Sequence, residues 1–239
     1  LKNRTPLGWL QLKHDKFRLL TALSGIAFAD ILIFMQLGFM NALYTSNTQY
    51  PRKLNGDIVL TSTQATNFNK PYTFPRRRLY QAMDVPGVES AEPLYIGSLE
   101  WRNPQTKEKT SMTVVGFDPA KPAFDLPEVN RQLDRVKIPD TVLFDQASRG
   151  EYDQVVNQIQ QGKTVTTESD RTTLTIIGLF KVGASFADDG ALITSDQTFM
   201  RLFPRKQPGL VSLGVINLKD GQDIEKLRTY LNNHLTDDV

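Results

Sequence analysis

Residues 19–44 read LLTALSGIAFADILIFMQLGFMNALY, an almost unbroken apolar run interrupted by Thr21, Ser24, Asp30, Gln36 and Asn41. Coiled as a helix at ~1.5 Å per residue, the run reaches roughly 39 Å, more than the ~30 Å hydrocarbon core of a bilayer. It is therefore read as a transmembrane helix whose last turns project beyond the membrane. Lys13, Lys16 and Arg18 stand just before it, and the first bases after it are Arg52 and Lys53. By the positive-inside rule residues 1–18 are a cytoplasmic segment and residues 45–239 lie on the far side. A cleaved secretory signal is the rival reading, with Ala27-Phe28-Ala29 as a small-residue cleavage site. The apolar run resumes at Ile31 and continues to Met40, well past a signal-peptide core, so the anchor is preferred.

Within the helix, Asp30 costs at least ~2.5 kcal/mol in hydrocarbon. It serves either as a proton relay or, the preferred reading, as a polar group facing other helices. Asn41 lies about three turns further on, on nearly the same face. Gly25 and Ala29 form a small-xxx-small step that lets another helix approach closely. Gly25, Ala29, Asp30 and Asn41 are accordingly expected to pack against a second helix in the membrane.

Outward from the helix, the composition is that of an ordinary folded protein, 40% hydrophobic and 23% charged over 239 residues. The net charge is +2, and residues 45–239 carry 23 of the 28 bases and 24 of the 26 acids, so no basic face for nucleic acid is expected. There is no cysteine, which excludes disulfides, cysteine-ligated metal and a thiol nucleophile. The two histidines, His14 and His234, fall on opposite sides of the membrane in this topology and cannot share a metal or catalytic site. No cofactor or metal is expected. Gly162-Lys163-Thr164 imitates the end of a phosphate-binding loop, but Asn157 stands where the first glycine should be and the helix precedes the strand. It reads as a helix stop. Asp188-Asp189-Gly190 reads as a turn rather than a calcium site. Arg76-Arg77-Arg78 reads as a solvated helix face, and Trp101, Phe117 and Phe124 as packing residues.

After a polar connector, residues 56–63 predict a buried strand and a helix starts near Pro75, ending before Pro86. Residues 88–101 and 110–117 predict two strands joined by a polar hairpin loop at 103–109. Residues 211–218 predict another strand and 221–235 a helix, with Asp220 as its cap. Joined across the middle, these give a β-α-β-β-α order, an incomplete ferredoxin-like layer of sheet and helices. Its missing strand would come from the middle of the chain or from beyond Val239. The first lobe is expected at about 54–118 and 209–239. An inserted lobe spans about 119–208, with a helix at 151–161, a hairpin from 163–168 and 171–180, and a short strand at 190–194. The fold class expected is α+β: one transmembrane helix and a two-lobed extracytoplasmic domain.

Several stretches then resemble a known family. They are Pro6-Leu7-Gly8-Trp9-Leu10-Gln11-Leu12 leading into Gly25-Ile26-Ala27-Phe28-Ala29-Asp30, Gly87-Val88-Glu89-Ser90-Ala91-Glu92-Pro93-Leu94-Tyr95, Val114-Val115-Gly116-Phe117-Asp118-Pro119, and Val182-Gly183-Ala184-Ser185-Phe186 with Leu192-Ile193-Thr194-Ser195-Asp196. The chain resembles the DevC-type permease of cyanobacterial ABC exporters, within the broader MacB/FtsX-like group. The resemblance implies a MacB periplasmic-core-like domain in the periplasm, carried on the inner membrane by the first of four helices. It also implies a homodimeric, non-catalytic subunit that pairs with a separate ABC ATPase, a periplasmic adaptor and a TolC-like outer-membrane channel. The implied cargo is a glycolipid or another hydrophobic molecule, pushed outward by mechanical transmission. The chain departs from the family pattern by ending at Val239 without a second hydrophobic run, so a fragment or split subunit is expected. The alternative reading is a membrane-anchored extracytoplasmic sensing or ligand-binding domain; an anchored enzyme comes last, because no convergent polar site is visible.

Overall fold

The computed structural model describes residues 14, 16–65, 71–169, 172–235 and 239. The chain divides into two units, residues 1–45 and residues 46–239.

In the first unit, helix α1 (Lys16–Thr48) begins before and ends after the expected run, because no helix breaker interrupts it until Pro51 opens a 3-10 turn at Pro51–Lys53. Its apolar span is Lys16–Ser46, and none of that span is buried by protein. Two of its polar interruptions are satisfied inside the helix. The Thr21 hydroxyl donates to the Phe17 carbonyl at 2.9 Å, and the Ser24 hydroxyl to the Thr21 carbonyl at 2.9 Å. Hydroxyls bonded in this way can lie in lipid without water. The last three helical residues, Ser46–Thr48, belong to the second unit.

The second unit is built on a mixed sheet. Its strands are β1 (Ile58–Thr61), β3 (Val88–Arg102), β4 (Lys109–Phe117), β5 (Thr141–Asp145), β6 (Val165–Ser169), β7 (Thr172–Phe180), β8 (Gly190–Ser195) and β10 (Leu213–Leu218). Among the described residues they stand in the order β1-β10-β3-β4-β8-β5-β7-β6, with β2 (Phe74–Pro75) and β9 (Leu210–Val211) forming a separate pair. Helices α2 (Arg77–Met83), α3 (Pro127–Asn130), α4 (Leu133–Val136), α5 (Asp153–Gln160), α6 (Asp196–Leu202) and α7 (Ile224–His234) complete it.

The ferredoxin-like expectation has a concrete form here. Strands β1 and β3 flank β10, and both pair with it antiparallel. With α2 joining β1 to β3, this is a split β-α-β. β3 is long because it serves two partners, β10 along Val88–Leu94 and β4 along Tyr95–Arg102. β8 then adds parallel to β4, and β5 antiparallel to β8. The strands of the middle region thus extend the same sheet. β8 is buried along its whole length, and its run GALITS lacks polar alternation because both sheet faces are covered. One face packs around Leu79, Trp101, Phe144 and Phe199; the other packs around Ile96, Phe117, Phe124 and Ile193. Trp101, Phe117 and Phe124 are core residues.

The cap of α7 is Asp223, whose carboxylate accepts from the Lys226 N–H at 3.2 Å; Asp220 instead precedes Gly221, which turns the chain at a φ of +80°. Arg78 is not on a solvated face: it is 6% exposed and donates to Gln81 Oε1 at 2.8 Å, because α2 lies on the sheet with Leu79 and Ala82. Gly162 does stop α5. Its N–H donates to the Ile159 carbonyl and that of Lys163 to the Gln158 carbonyl, with Gly162 at φ +79°. These paired bonds close the helix end as a Schellman motif.

Candidate functional site

The polar groups of the second unit converge where the chain leaves α1. Asp145 ends β5 and is completely buried. Its Oδ1 accepts from the N–H groups of Ala147 (3.0 Å) and Val182 (3.2 Å); its Oδ2 accepts from the Gly183 N–H (2.7 Å) and the Tyr50 hydroxyl (3.4 Å). Four donors satisfy this buried side chain, as a buried polar group requires. The sequence brings it there simply: β5 runs parallel to β7, so Asp145 stands beside Phe180 and faces the loop that follows.

That loop, residues 181–189, is held from both sides. Gln49 Nε2 donates to the carbonyls of Gly183 and Ala184, each at 3.2 Å. Ser46 Oγ accepts from the Phe186 N–H at 2.6 Å. At its far end the buried Asp188 accepts from the hydroxyls of Ser98 (2.8 Å), Ser111 and Thr113 (2.6 Å), while its N–H donates to Ser185 Oγ at 2.9 Å. Asp189 forms an ion pair with Arg149 at 2.9 Å, and its N–H donates to the Ser111 carbonyl. The loop is therefore fastened to β3, β4 and β5 below and to residues 46–50 above. Asp188 and Asp189 lead directly into β8, which begins at Gly190. What the sequence did not reveal is that Asp188 is a hub for three hydroxyls from two strands. Ser98, Ser111 and Thr113 do not stand out locally, since the same two strands also carry Glu89, Glu92, Glu100, Arg102, Lys109 and Thr110.

The arrangement is a network of internal hydrogen bonds within the second unit. Among the described residues no group of three or more histidine, cysteine, aspartate or glutamate side chains is placed to hold a metal. Tyr50 titrates abnormally: burial first, then the charge of Asp145, its hydrogen bond and the charge of Asp188, all push the phenol above its ordinary value near 10. A phenol whose folded value is raised contributes stability that is complete below pH 10. It is lost as pH rises from there toward the folded value, because only the unfolded chain can ionise. The slope is about 1.4 kcal/mol per pH unit. Alkaline unfolding followed by near-ultraviolet circular dichroism should therefore steepen above pH 10, and Tyr50→Phe should flatten that limb. Equal alkaline limbs in the two proteins would contradict the assignment.

The residues singled out for helix packing, Gly25, Ala29, Asp30 and Asn41, all lie on α1 and are exposed along it. None of them takes part in the junction.

A family model described as the MacB-like periplasmic core domain matches residues 19–234. No curated protein matches the sequence. Among solved structures, the chain is similar to the periplasmic region of MacB from Actinobacillus actinomycetemcomitans, with 10% identity, a TM-score of 0.45, and 75% of this chain and 84% of that one covered. It is also similar to the extracellular domain of the noncanonic ABC-type transporter YknZ from Gram-positive bacteria, with 13% identity, a TM-score of 0.42, and coverage of 78% and 95%. With one apolar helix ahead of a periplasmic domain, the protein sits in the inner membrane. The chain belongs to the MacB-like periplasmic core domain family, a domain of ABC-transporter permeases.

Proposed function

We propose that this chain is the membrane subunit, or the front part of it, of an ABC exporter that drives a glycolipid or another hydrophobic cargo outward. It acts as a homodimer with a separate ATPase, a periplasmic adaptor and a TolC-like channel. Its periplasmic domain comprises a first lobe at about 54–118 and 209–239 and an inserted lobe at about 119–208. In the membrane, Gly25 and Ala29 admit a neighbouring helix, and Asp30 and Asn41 bond across that contact.

The observation that carries this reading is the junction. Ser46 lies in the last turn of α1 and Gln49 and Tyr50 come just after it, and each is bonded to loop 181–189 or to the carboxylate that holds it. A flexible tether would serve an anchored sensor equally well. A connector tied down by its own hydrogen bonds suits passing movement of the helix to the domain.

The experiment is to insert a Gly-Ser-Gly-Ser linker between Thr48 and Gln49 in the complete transporter. Such a linker behaves as flexible coil. Outward transport should fall to background while ATP hydrolysis continues and the domain keeps its melting temperature. Unimpaired transport with the linker in place would overturn the reading.

A further inference from the structure

We infer that loop 181–189 is a membrane-contact element, with the Phe186 side chain entering the headgroup and upper acyl region of the outer leaflet of the inner membrane. The inference rests on the membrane-spanning helix and stands whether or not the exporter reading does.

Three observations converge on it. The first is position. The Phe186 N–H is 2.6 Å from Ser46 Oγ, and Ser46 is the last residue of the apolar span Lys16–Ser46. That span, at ~1.5 Å per residue, is roughly 46 Å long, close to the ~40–45 Å of a bilayer with its headgroups. Phe186 is thus tied to the outer end of the apolar span, which falls at the headgroup level when the span is centred on the bilayer. The second is chemistry. Phe186 is 65% exposed on a loop whose residues 182–187, Val-Gly-Ala-Ser-Phe-Ala, carry no charge. Arg149 is engaged with the loop itself, on the Ser185 carbonyl and Asp189, while Lys181 on one side and Arg52 and Lys53 after the helix suit lipid phosphates.

The third observation decides against ordinary solvent exposure. A loop bathed in water can leave its N–H groups to the solvent. Here those of Val182 and Gly183 go to Asp145, and that of Ser185 to the Asp188 carbonyl. Those of Phe186, Ala187 and Asp188 go to the hydroxyls of Ser46 and Ser185. Satisfying six of the seven N–H groups of residues 182–188 inside the protein suits entry into a water-poor layer.

The absence of cysteine makes the test direct. Phe186→Cys, Ala187→Cys and Ile138→Cys are each labelled with an environment-sensitive fluorophore in the full chain. The proteins are reconstituted into phosphatidylcholine vesicles with a nitroxide high on the acyl chain. Ile138, 55% exposed, precedes β5 and so lies at the opposite end of that strand from Asp145. Quenching by lipid at Phe186→Cys and Ala187→Cys should exceed that at Ile138→Cys at least about twofold, with protection from aqueous iodide. Adding Phe186→Asp to the Ala187→Cys protein should at least about halve its lipid quenching, which shows that the native ring and not the dye seats the loop. Iodide access equal to that at Ile138→Cys would overturn the inference. So would protection from both quenchers, which would place the loop against protein, whether a second copy or a partner.

Discussion

Asp145→Ala should destabilise the periplasmic domain by about 3–5 kcal/mol, a large part of the stability an ordinary domain has. The size follows from what is left behind. The substitution strands the N–H groups of Ala147, Val182 and Gly183 and the Tyr50 hydroxyl around a completely buried position. A buried donor without a partner costs about 1–3 kcal/mol, and water admitted to the small cavity recovers part of it. Alanine's loss of a buried charge works the other way, since desolvating a carboxylate is itself unfavourable. Four donors outweigh that gain. Tyr50→Phe removes a single long bond and should cost about 1 kcal/mol. Urea unfolding of the full chain in detergent, followed by near-ultraviolet circular dichroism, separates the two. An Asp145→Ala protein as stable as Tyr50→Phe would mean that the carboxylate is not the pin of the loop. Because loop 181–189 also receives Ser46 and Gln49, the variant should loosen the junction as well as the domain.

Elements made of one continuous signal were readable from the sequence, and elements made by distant partners were not. Helix α1 announces itself in its apolar run, and β3 and β4 in their β-branched residues around a polar hairpin. Strand β5 hides because Thr141–Asp145 is short and becomes a strand only by lying between β7 and β8. Helix α6 hides for a similar reason: its seven residues are started by the Ser195 cap and held by Phe199 against the sheet. The junction was the least legible part. Asp145 reaches Tyr50 across 95 positions, and Asp188 reaches Ser98, Ser111 and Thr113 across 90, 77 and 75. No local pattern encodes such pairings. Arg78 and Asp223 show the smaller failure, in which the right residue types were present but the exact turn of helix was not.

Gly116→Ala should cost about 2–3 kcal/mol, whereas Gly97→Ala, one strand away on the same face, should be close to neutral. Both glycines form a trough for the aromatic residues of and after α6. Tyr95 pairs with Gly116 and Gly97 with Val114, which puts the two glycines on the face that Phe199 and Phe203 cover. The rings of Phe199 and Phe203 are 4.5 Å apart, Tyr95 stacks on Phe199 at 5.7 Å, and the Lys206 amine lies over both phenylalanines. A Cβ added at Gly116 would stand 2.5 Å from Phe199 Cβ, which cannot move unless α6 moves. A Cβ at Gly97 would meet the outer edge of the Phe203 ring at 2.6 Å, and that ring, only partly buried, can swing aside. Alanine also restricts the unfolded chain, a gain of about 0.4–1 kcal/mol at either site. That gain offsets the small clash at Gly97 and not the fixed one at Gly116. Chemical denaturation of the two variants side by side distinguishes the cases. Equal losses at both positions would mean that the ring of Phe203 is as firmly held as the helix backbone, and that the trough tolerates no added methyl anywhere along it.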